Sequence, residues 1–550
     1  MENKVTLRSS KRRPRLVRLL YYGMLLAMIY FCLIGRPVWY GVLPLLWNHF
    51  RQATAPVGYL IFSIINAIWV GFPIVLGRFE PPARAIAADV DPLAAKVTRC
   101  PHESNLEHNT ALLIPCYKAE KSLPNTIRAA LRHFRASSIF ILDNGNTEKA
   151  TDGTPDVAAL FGVNYIFVPV GSKIGAEFVG VHHLSIAAFD YVMVIDDDVE
   201  LPENLTLATK RFRDAKVGCV GYTIRSVGTH KSCGTAIQQL QDLEYRLSGL
   251  RHCFGAKWGS ATFPHGAIIL WRRQTLADLF RVHPGFKISE DLFFGLKCRE
   301  SGHYVDFTSA LHVPTETPPY LFGPRADGLW TIWAFLWSTS KTLVAGADVS
   351  RKSDLESAAG IRGGYGEMTV FKQRYTRWAF MHCYALGPQI WWLLTSWNLG
   401  WREPVAKVLG LQDVLATLFM LVLPFMLPCT LYYNATLTGK IIAINSGIGL
   451  LAALAFNSFH LHQRPEGRIA WHIIFASVPY RLVLRCIQVA AVYRGMILYG
   501  VYFGARTWKL HSDPLLSLMV IPARMTRRST PLTGHGRPNP TSSESLRDIP

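Results

Sequence analysis

Long uncharged apolar segments lie towards both ends of the chain and leave a more polar middle. Residues 19–35 are 17 residues without a charge, and residues 52–77 are 26 residues without one. A membrane-spanning helix needs roughly 20 apolar residues, so the pattern predicts two N-terminal transmembrane helices. Near the C-terminus, the segments 414–439 and 441–460 are equally apolar and predict two further spans.

Two other C-terminal segments are apolar but less regular. A tryptophan-rich run with almost no charge opens residues 378–412, which indicates aromatic helices lying in the membrane interface. Residues 470–504 contain Arg481, Arg485 and Arg494. Arginines at such a depth usually face a cavity or extend towards the headgroups. We assign this stretch to the C-terminal transmembrane region.

The polar middle of the chain alternates β-rich runs with segments of helical spacing. The predicted strands are 111–115, 138–142, 165–170 and 191–195, and a predicted helix covers 123–134. This alternation is typical of an α/β domain with a largely parallel sheet. Ligands bind beyond the carboxyl ends of the strands in such sheets, so the residues that follow the strands are candidates for chemistry.

Composition and charge indicate how the predicted membrane protein is oriented in the membrane. The chain has 550 residues, 50% hydrophobic residues, a mean hydropathy of +0.17 and a net charge of +20. Seven Lys or Arg residues and one acidic residue lie within residues 1–18, and basic flanks usually mark the cytosolic side. We expect a multi-pass protein of the plasma membrane, in contact with membrane lipids, with its middle domain in the cytosol. No base-reading or stacking motif accompanies the charge, so no nucleic-acid partner is expected.

These patterns divide the chain into six predicted regions. They are a basic cytosolic tail (1–18), two transmembrane helices (19–78), a cytosolic catalytic domain (79–377), interfacial aromatic helices (378–412), a C-terminal transmembrane region (413–505) and a basic, partly disordered tail (506–550).

The strongest chemical signal is a run of three carboxylates. Asp196, Asp197 and Asp198 directly follow the apolar run 191–195. Adjacent acids repel one another unless a cation joins them, and carboxylate oxygens favour Mg²⁺ or Mn²⁺. We predict a metal bound through Asp196 and Asp198, completed by a diphosphate, with donor contacts through Asp196 and Asp197. The alternative is a solvated acidic turn.

Three other predicted strands also end in candidate donor-binding residues. Tyr117 and Glu120 follow the first strand, where Tyr117 would cover a base and Glu120 would cap the next helix or bond a ring hydroxyl. Asp143 ends the second strand and would accept from uracil or ribose, although Asp-Asn-Gly is also a common turn. Lys173 follows the third strand and would neutralise phosphate.

A candidate general base lies in the sequence Lys-Ile-Ser-Glu-Asp, residues 287–291, just before a predicted helix at 292–298. The positive end of that helix would keep Asp291 ionised. We predict that Asp291 takes the proton of the acceptor and that Glu290 belongs to the same catalytic group. The alternative is that Ser289, Glu290 and Asp291 simply cap the helix.

The last motif, Lys-Gln-Arg-Tyr-Thr-Arg-Trp at 372–378, lies at the junction with the aromatic region. Arg377 would hold the leaving diphosphate, and Trp378 would pack beside the acceptor sugar. The alternative is a juxtamembrane belt of basic and aromatic residues.

In this order, the motifs resemble those of family 2 glycosyltransferases of the membrane-bound synthase type, which include hyaluronan, chitin and cellulose synthases. The matching pieces are Asp143, the carboxylates 196–198, the Ser-Glu-Asp motif and the Arg-Trp box. The amino-acid sequence of residues 259–267 and 366–375 is similar to that of fungal type 2 glycosyltransferases, also called capsule polysaccharide synthase-like proteins. The resemblance covers roughly residues 105–410.

This resemblance implies a GT-A domain inserted between transmembrane helices, a UDP-sugar donor and an inverting displacement. Asp143 and Tyr117 would contact the uridine, and the product would be a cell-surface or cell-wall polysaccharide of the kind needed for surface integrity and hyphal growth. The acceptor, a glycan or a lipid, would be bound by Gln241, Glu244, Tyr245, Phe263, His265, Gly266 and Trp378.

One departure from the family pattern leaves alternatives open. The family box reads QxxRW, but the glutamine position here holds Arg374 and Gln373 comes one residue early. An Arg-x-x-Arg-Trp box also occurs in ceramide glucosyltransferase-like enzymes, so a single-transfer glycolipid synthase is the first alternative. A transporter with a regulatory domain is the second. The glycine-rich segment 361–366 is a candidate lid.

Overall fold

The computed structural model describes the α/β middle of the chain and most of its C-terminal helices. Described are residues 71–81, 109–322 (without 146, 148 and 286–288) and 368–504, together with Tyr30, Leu510, Leu516 and Met519. Most of the predicted N-terminal spans, both tails and the candidate lid at 361–366 lie outside these residues.

The middle of the chain forms a seven-stranded mixed sheet. Its strands are β1 Thr110–Cys116, β2 Ile139–Asp143, β3 Asn164–Phe167, β4 Tyr191–Ile195, β5 Val217–Val227, β6 Ile268–Arg272 and β7 Tyr304–Glu316. The spatial order is β3-β2-β1-β4-β6-β5-β7. Only β6 runs antiparallel to its neighbours, and the remaining pairs are parallel. The prediction of an α/β domain with a mixed, largely parallel sheet is confirmed.

Helices lie between and after the strands, including those predicted at 123–134 and 292–298. They are α1 Leu123–Ala130, α2 Thr154–Leu160, α3 Lys173–His182, α4 Leu184–Ala187, α5 Ala236–Trp258, α6 Arg273–Val282, α7 Glu290–Glu300, α8 Val370–Lys372, α9 Ala379–Thr395, α10 Glu403–Ala455 and α11 Trp471–Gly504. Short 3₁₀ helices cover Ala136–Ser138, Ala208–Arg213, Thr229–Lys231 and Gly400–Arg402, and π-helical segments cover Gln373–Trp378 and Phe456–His460.

The sheet is buried on both faces, as alternate residues of β1 show. Leu113 packs into one core, and Leu112 and Ile114 pack into another. A strand that buries both faces reads as a continuous apolar run rather than an alternating one. This is why Ala-Leu-Leu-Ile-Pro could be recognised as a strand from the sequence.

The topology brings the candidate residues to one edge of the sheet. Because β1, β2, β3 and β4 are parallel, their carboxyl ends lie together. The antiparallel strand β6 starts at the same edge, where the amide of Asp196 donates to the carbonyl of Ala267 at 3.1 Å. The loop before β6 therefore meets the three carboxylates after β4.

Three helical segments after the domain are long and apolar enough to cross a membrane: Gly400–Tyr432, Asn434–His460 and Trp471–Met496. The first two are separated by a break at Asn434, where φ is −152° and ψ is 69°. The sequence prediction put this boundary after Gly439. It was wrong by several residues because the stretch around the break is uncharged and hydropathy does not detect the turn.

Candidate active site

Lys173, the first residue of α3, joins carboxylates from three elements. Its Nζ atom lies 2.6 Å from Asp196 Oδ1, 2.9 Å from Glu290 Oε1 and 3.8 Å from Glu177 Oε1. Burial lowers the pKa of Lys173, but the three carboxylates together raise it well above its usual value. The charged ammonium group thus holds the end of β4, the start of α7 and the face of α3 together.

The three consecutive carboxylates after β4 carry more negative charge than this lysine balances. Burial, together with the charges of Asp198 and Asp196, raises the pKa of Asp197 to about 8. The backbone carbonyl of Asp197 accepts from Thr126 Oγ1 at 2.8 Å, which ties the turn to α1. A divalent cation would relieve the charge repulsion that raises the pKa of Asp197.

The described residues contain no group of three His, Cys, Asp or Glu side chains arranged to hold a metal. A site built from Asp196 and Asp198 would therefore need oxygens from a bound diphosphate. An all-oxygen set of this kind suits Mg²⁺ or Mn²⁺. The residues present thus fit the cation that the sequence predicts.

Asp291 lies in the first turn of α7, enclosed by backbone. Its Oδ1 atom accepts from the amide of Leu292 at 2.9 Å, and the backbone of Gly266 hydrogen-bonds it as well. A Cβ atom on Gly266 would come within 3.3 Å of Asp291 Oδ2. Burial and the adjacent Glu290 raise the pKa of Asp291 to about 7. The helix terminus was expected to keep this group ionised; burial and charge repulsion act against the helix field and raise its pKa.

Glu290 is set differently from its neighbour. Burial raises the pKa of Glu290, but Lys173 and, to a smaller extent, Arg377 lower it. The net effect is a lowered pKa, so the group stays ionised. A carboxyl group with a pKa near 7 beside one whose pKa is lowered is an arrangement suited to acid–base chemistry.

Ser289 links the Ser-Glu-Asp motif to the Arg-Trp box. Its hydroxyl group makes no capping bond to α7 and instead donates to the carbonyl of Arg377 at 3.0 Å. The backbone of Ser289 is left-handed, with φ at 60°, which turns the side chain away from the helix. The alternative of a Ser289 side-chain cap is therefore not what the structure shows.

The box itself is π-helical from Gln373 to Trp378. A π-helix hydrogen-bonds residues five apart, where an α-helix bonds residues four apart. The glutamine and tryptophan of QxxRW, four apart, share one face of an α-helix. The π segment brings Gln373 and Trp378, five apart, to a comparable position, and Gln373 lies within hydrogen-bonding reach of Tyr245. The π-helical turn thus compensates for the position of Gln373, which comes one residue earlier than the glutamine of QxxRW.

Arg374 contacts two of the predicted acceptor-binding residues, Glu244 and Trp378. Its guanidinium group donates two bonds of 2.8 Å to the two carboxylate oxygens of Glu244 and lies 3.9 Å from the ring centre of Trp378. The Trp378 ring is 6.4 Å from that of Tyr245. A bidentate pair stacked on an indole ring holds all the groups in one orientation.

The nucleotide-side candidates lie at the carboxyl edge but differ in their contacts. Asp143 is buried and accepts from the Tyr165 hydroxyl at 2.7 Å, while burial raises its pKa. Tyr117 is partly exposed after β1. Glu120 is exposed and accepts from the amide of Gly153 at 3.1 Å, so its contact is with the loop before α2 rather than with the Lys173 cluster.

Three predicted acceptor residues lie in packed surroundings within the domain. Gln241 is fully buried and donates to the carbonyl of Pro318 at 2.9 Å. His265 is buried, and its ring lies 5.9 Å from Phe263 and 5.2 Å from His252. Burial lowers the pKa of His265 to about 4, so the ring is neutral. Among the residues of the loop before β6, Gly266 is the one that contacts Asp291.

Sequence reasoning missed two members of the site. Glu177 is 3% exposed and burial raises its pKa to about 8. It lies four residues after Lys173, a spacing that puts both side chains on one helix face and that could have identified it. Tyr165 was also missed, although it is the diagonal neighbour of Asp143 across β2 and β3.

Comparison with known proteins identifies the region that carries these residues. A family model described as glycosyltransferase like family 2 matches residues 108–326. Protein RfbJ of Shigella flexneri is 30% identical over 115 residues, which are 20% of this chain and 84% of RfbJ. The matched span of 108–326 contains the whole seven-stranded sheet and the motifs up to the Ser-Glu-Asp sequence.

Solved structures give weaker similarities. S. aureus TarS is 12% identical with a TM-score of 0.29, over 60% of this chain and 55% of TarS. Glucosyl-3-phosphoglycerate synthase from Mycobacterium tuberculosis, solved with Mn²⁺, UDP and phosphoglyceric acid, is 15% identical with a TM-score of 0.26, over 43% of this chain and 78% of that one.

Proposed function

Since the chain belongs to glycosyltransferase family 2 and its sheet is that of a GT-A-like glycosyltransferase, we propose that it transfers a sugar from a UDP-sugar to a glycan at a membrane, with inversion. The observation that carries this proposal is the cluster around Lys173. It joins the carboxylates after β4 to the Ser-Glu-Asp motif at 2.6 Å and 2.9 Å.

In this proposal, the UDP-sugar binds at the edge of the sheet where the parallel strands have their carboxyl ends. Asp143 and Tyr117 would receive the uridine, and Asp196 and Asp197 the rest of the donor. Lys173 already bridges two elements there and offers its ammonium group to a diphosphate. A divalent ion held by Asp196 and Asp198 would neutralise the charge that develops on the diphosphate.

The transfer needs a base on the acceptor side. The acceptor hydroxyl attacks the anomeric carbon from the face opposite UDP, a new glycosidic bond forms and the bond to the diphosphate breaks. Asp291 takes the hydroxyl proton, since its pKa of about 7 suits a general base at neutral pH. Arg377, which lies near Glu290, stabilises the leaving charge.

The acceptor is a growing polysaccharide of the cell surface or wall in this proposal, and the catalytic domain faces the cytosol at the plasma membrane. Support comes from the aromatic pair Tyr245 and Trp378 beside Glu244, because sugars stack on aromatic rings and bond to carboxylates. The apolar segments Gly400–Tyr432 and Asn434–His460 supply the membrane anchor.

A single transfer to a glycolipid is the second candidate, and Arg374 is the observation that favours it. The π-helical box weakens this argument, since it brings Gln373 near Tyr245. The length of the radiolabelled product separates the two functions: a polymer supports the synthase, and a lipid with one sugar supports the glycolipid enzyme.

The donor site is tested by titrating UDP into the purified protein with and without Mn²⁺. We expect Mn²⁺ to tighten UDP binding in the wild type and Asp198→Ala to lose about tenfold or more of that affinity, because a carboxylate ligand is removed. Asp156→Ala, an exposed carboxylate on α2, is the matched control and should bind as the wild type does. Unchanged Mn²⁺-dependent affinity in Asp198→Ala would remove Asp198 from the metal site.

A further inference from the structure

The long apolar helix α11 begins against the catalytic domain. Seven residues before its start, Arg464 donates to the carbonyl of Ser309 on β7 and lies 3.1 Å from His312 Nε2. Arg246 of α5 donates to the carbonyl of Gly467 at 3.0 Å. The entry to α11 is therefore fixed on the side of the membrane where the catalytic domain lies.

The middle of α11 stays in contact with that domain. Tyr480 and Leu484 share a core with Leu243 and Leu250 of α5. Further along, Arg494 donates to the carbonyl of Tyr375 in the π-helical box at 3.3 Å, and its guanidinium group lies 5.0 Å from the Tyr375 ring. The box in turn bonds to Ser289.

The chain after α11 also contacts the catalytic domain. The amide of Leu510 donates to the carbonyl of His283, shortly before α7, at 2.9 Å. Leu516 packs into the core of the domain, where a Cβ atom on Gly175 of α3 would lie 3.7 Å from it. Both ends of α11 thus belong to the same side of the membrane.

These contacts are incompatible with a helix that crosses the bilayer. The 26 residues of Trp471–Met496 would extend about 39 Å, more than the roughly 30 Å of hydrocarbon. A crossing helix would leave its last residue, Gly504, on the far side. Six residues further, Leu510 could return by only about 20 Å. We propose that α11 is not a third span but lies in the plane of the membrane, beneath the catalytic domain, with lipid against its outer face.

The outer face of α11 has the composition that lipid requires. Trp471, Phe475, Leu482 and Val483 are exposed, with fractions between 36% and 56%. The opposite face, which includes Ile473, is buried against the protein. Tryptophan is frequent at the depth of the headgroups, and a helix with one apolar face held against protein and another left bare is expected in the interfacial plane.

Lipid is favoured over water or a second copy because the neighbouring surface is apolar too. The adjacent helix α10 exposes Leu415, Val422 and Phe425 along the candidate span. The arginine at 481 is turned away from this surface, since it donates to the carbonyl of Gly449 at 2.9 Å. Two of the three arginines that interrupt the hydropathy of this stretch, Arg481 and Arg494, are thus bonded to the protein, whereas Arg485 is exposed.

The test is the depth of spin labels along α11 in liposomes. Nitroxides are placed singly at Phe475, Leu482 and the native, exposed Cys486 of the full-length protein, after replacement of the other accessible cysteines and a check that UDP binding is kept. Matched control labels at Val408, Leu415 and Val422 follow the exposed side of α10. Relaxation by oxygen and by a water-soluble nickel chelate gives each depth.

We expect the three labels on α11 to report one shallow depth and the three on α10 to report a gradient. Residues 475 and 486 would differ by about 16 Å in a crossing helix and by nearly nothing in an in-plane one. A gradient through the bilayer centre along α11 overturns the proposal. Access to the nickel chelate alone, or loss of access to both reagents upon dimerisation, overturns lipid as the occupant.

A second measurement needs no label on α11. Single cysteines at Cys233 in the catalytic domain, at Asn434→Cys and at Ser542→Cys in the tail are exposed to an impermeant thiol reagent in sealed vesicles. We expect Ser542→Cys to react from the same side as Cys233, and Asn434→Cys from the other. Reaction of Ser542→Cys together with Asn434→Cys contradicts the proposal. Neither assay involves sugar transfer, so failure here leaves the proposed function standing.

Discussion

Two adjacent carboxyl groups, Glu290 and Asp291, have opposite environments. Lys173 lies 2.9 Å from Glu290 and keeps it charged, whereas Asp291 faces backbone amides and the charge of Glu290. Placing a charged and a readily protonated carboxyl group side by side separates their roles. We propose that Glu290 orients the lysine and that Asp291 exchanges the proton.

This difference predicts the pH dependence of transfer. Only the deprotonated form of Asp291 accepts a proton, so the rate should fall as pH falls through about 7. In Glu290→Gln the repelling charge is gone and the pKa of Asp291 drops, so the acid limb of the profile should move to lower pH even if the maximal rate is reduced. The measurement is the rate of transfer against pH at saturating donor. An acid limb that stays in place in Glu290→Gln would contradict the assignment.

At the residue scale, the sequence predicted the groups that follow strand ends and missed those placed by tertiary contact. Asp196 and Asp291 were identified because their motifs are contiguous. Glu177 and Tyr165 were missed because their roles depend on which helix face or neighbouring strand they occupy. Glu120 was expected near the donor, but its contact with Gly153 depends on the path of a loop.

At the scale of elements, the loop before β6 and helix α7 must pack closely for Gly266 to reach Asp291. Gly295 permits this approach, since a Cβ atom there would lie 2.7 Å from the carbonyl oxygen of Thr262 and from the Cα atom of Phe263. Arg299 of α7 donates to that same carbonyl at 2.6 Å. The loop and the helix therefore form one unit around the base.

Gly295→Ala should push the loop before β6 away from helix α7. Backbone atoms cannot yield as a flexible side chain can, so we expect a cost of about 1–3 kcal/mol in stability and a loss of transfer larger than the loss of UDP binding. Gly447→Ala in α10, where nothing lies within 4 Å, is the matched control. Thermal unfolding midpoints and transfer rates of both variants in detergent are the measurement. Equal behaviour of the two variants would show that the close approach has no role.

Element types were easier to predict from the sequence than their local irregularities. The strand β4 was located at its observed bounds because it is a short apolar run. The π-helical box was not foreseen, and the break at Asn434 comes several residues before the predicted boundary after Gly439. Residue spacing assumes a regular helix, and hydropathy responds to charge rather than to backbone angles.

At the scale of the whole molecule, contacts with the catalytic domain define the side of each helix end. Glu80, after the helical segment at 71–76, donates from its amide to Ser309 Oγ at 2.8 Å, and His460 Nε2 lies 2.7 Å from the carbonyl of Ile74. The end of α10 at Ala455 is thus near the domain. In the proposed membrane arrangement, the break at Asn434 would then lie on the opposite side of the membrane.

This arrangement predicts which of two glycosylation sequons can be modified. With the catalytic domain in the cytosol, as proposed, Asn434-Ala-Thr would lie on the outer side, close to the membrane. Asn204-Leu-Thr, which comes just after the carboxylates, would then lie in the cytosol. Mass spectrometry of the protein from a eukaryotic host should find Asn204 unmodified. A glycan on Asn204 would place the catalytic domain on the wrong side of the membrane.

The most direct measurement is sugar transfer by the purified protein from a panel of radiolabelled UDP-sugars with Mn²⁺ and membrane acceptors. The wild type should transfer the sugar of one donor and release UDP. Asp291→Asn should bind UDP as the wild type does and transfer about 10²–10⁴-fold more slowly, since only the base is lost. Transfer by Asp291→Asn at the wild-type rate, or no transfer from any UDP-sugar, would contradict this account.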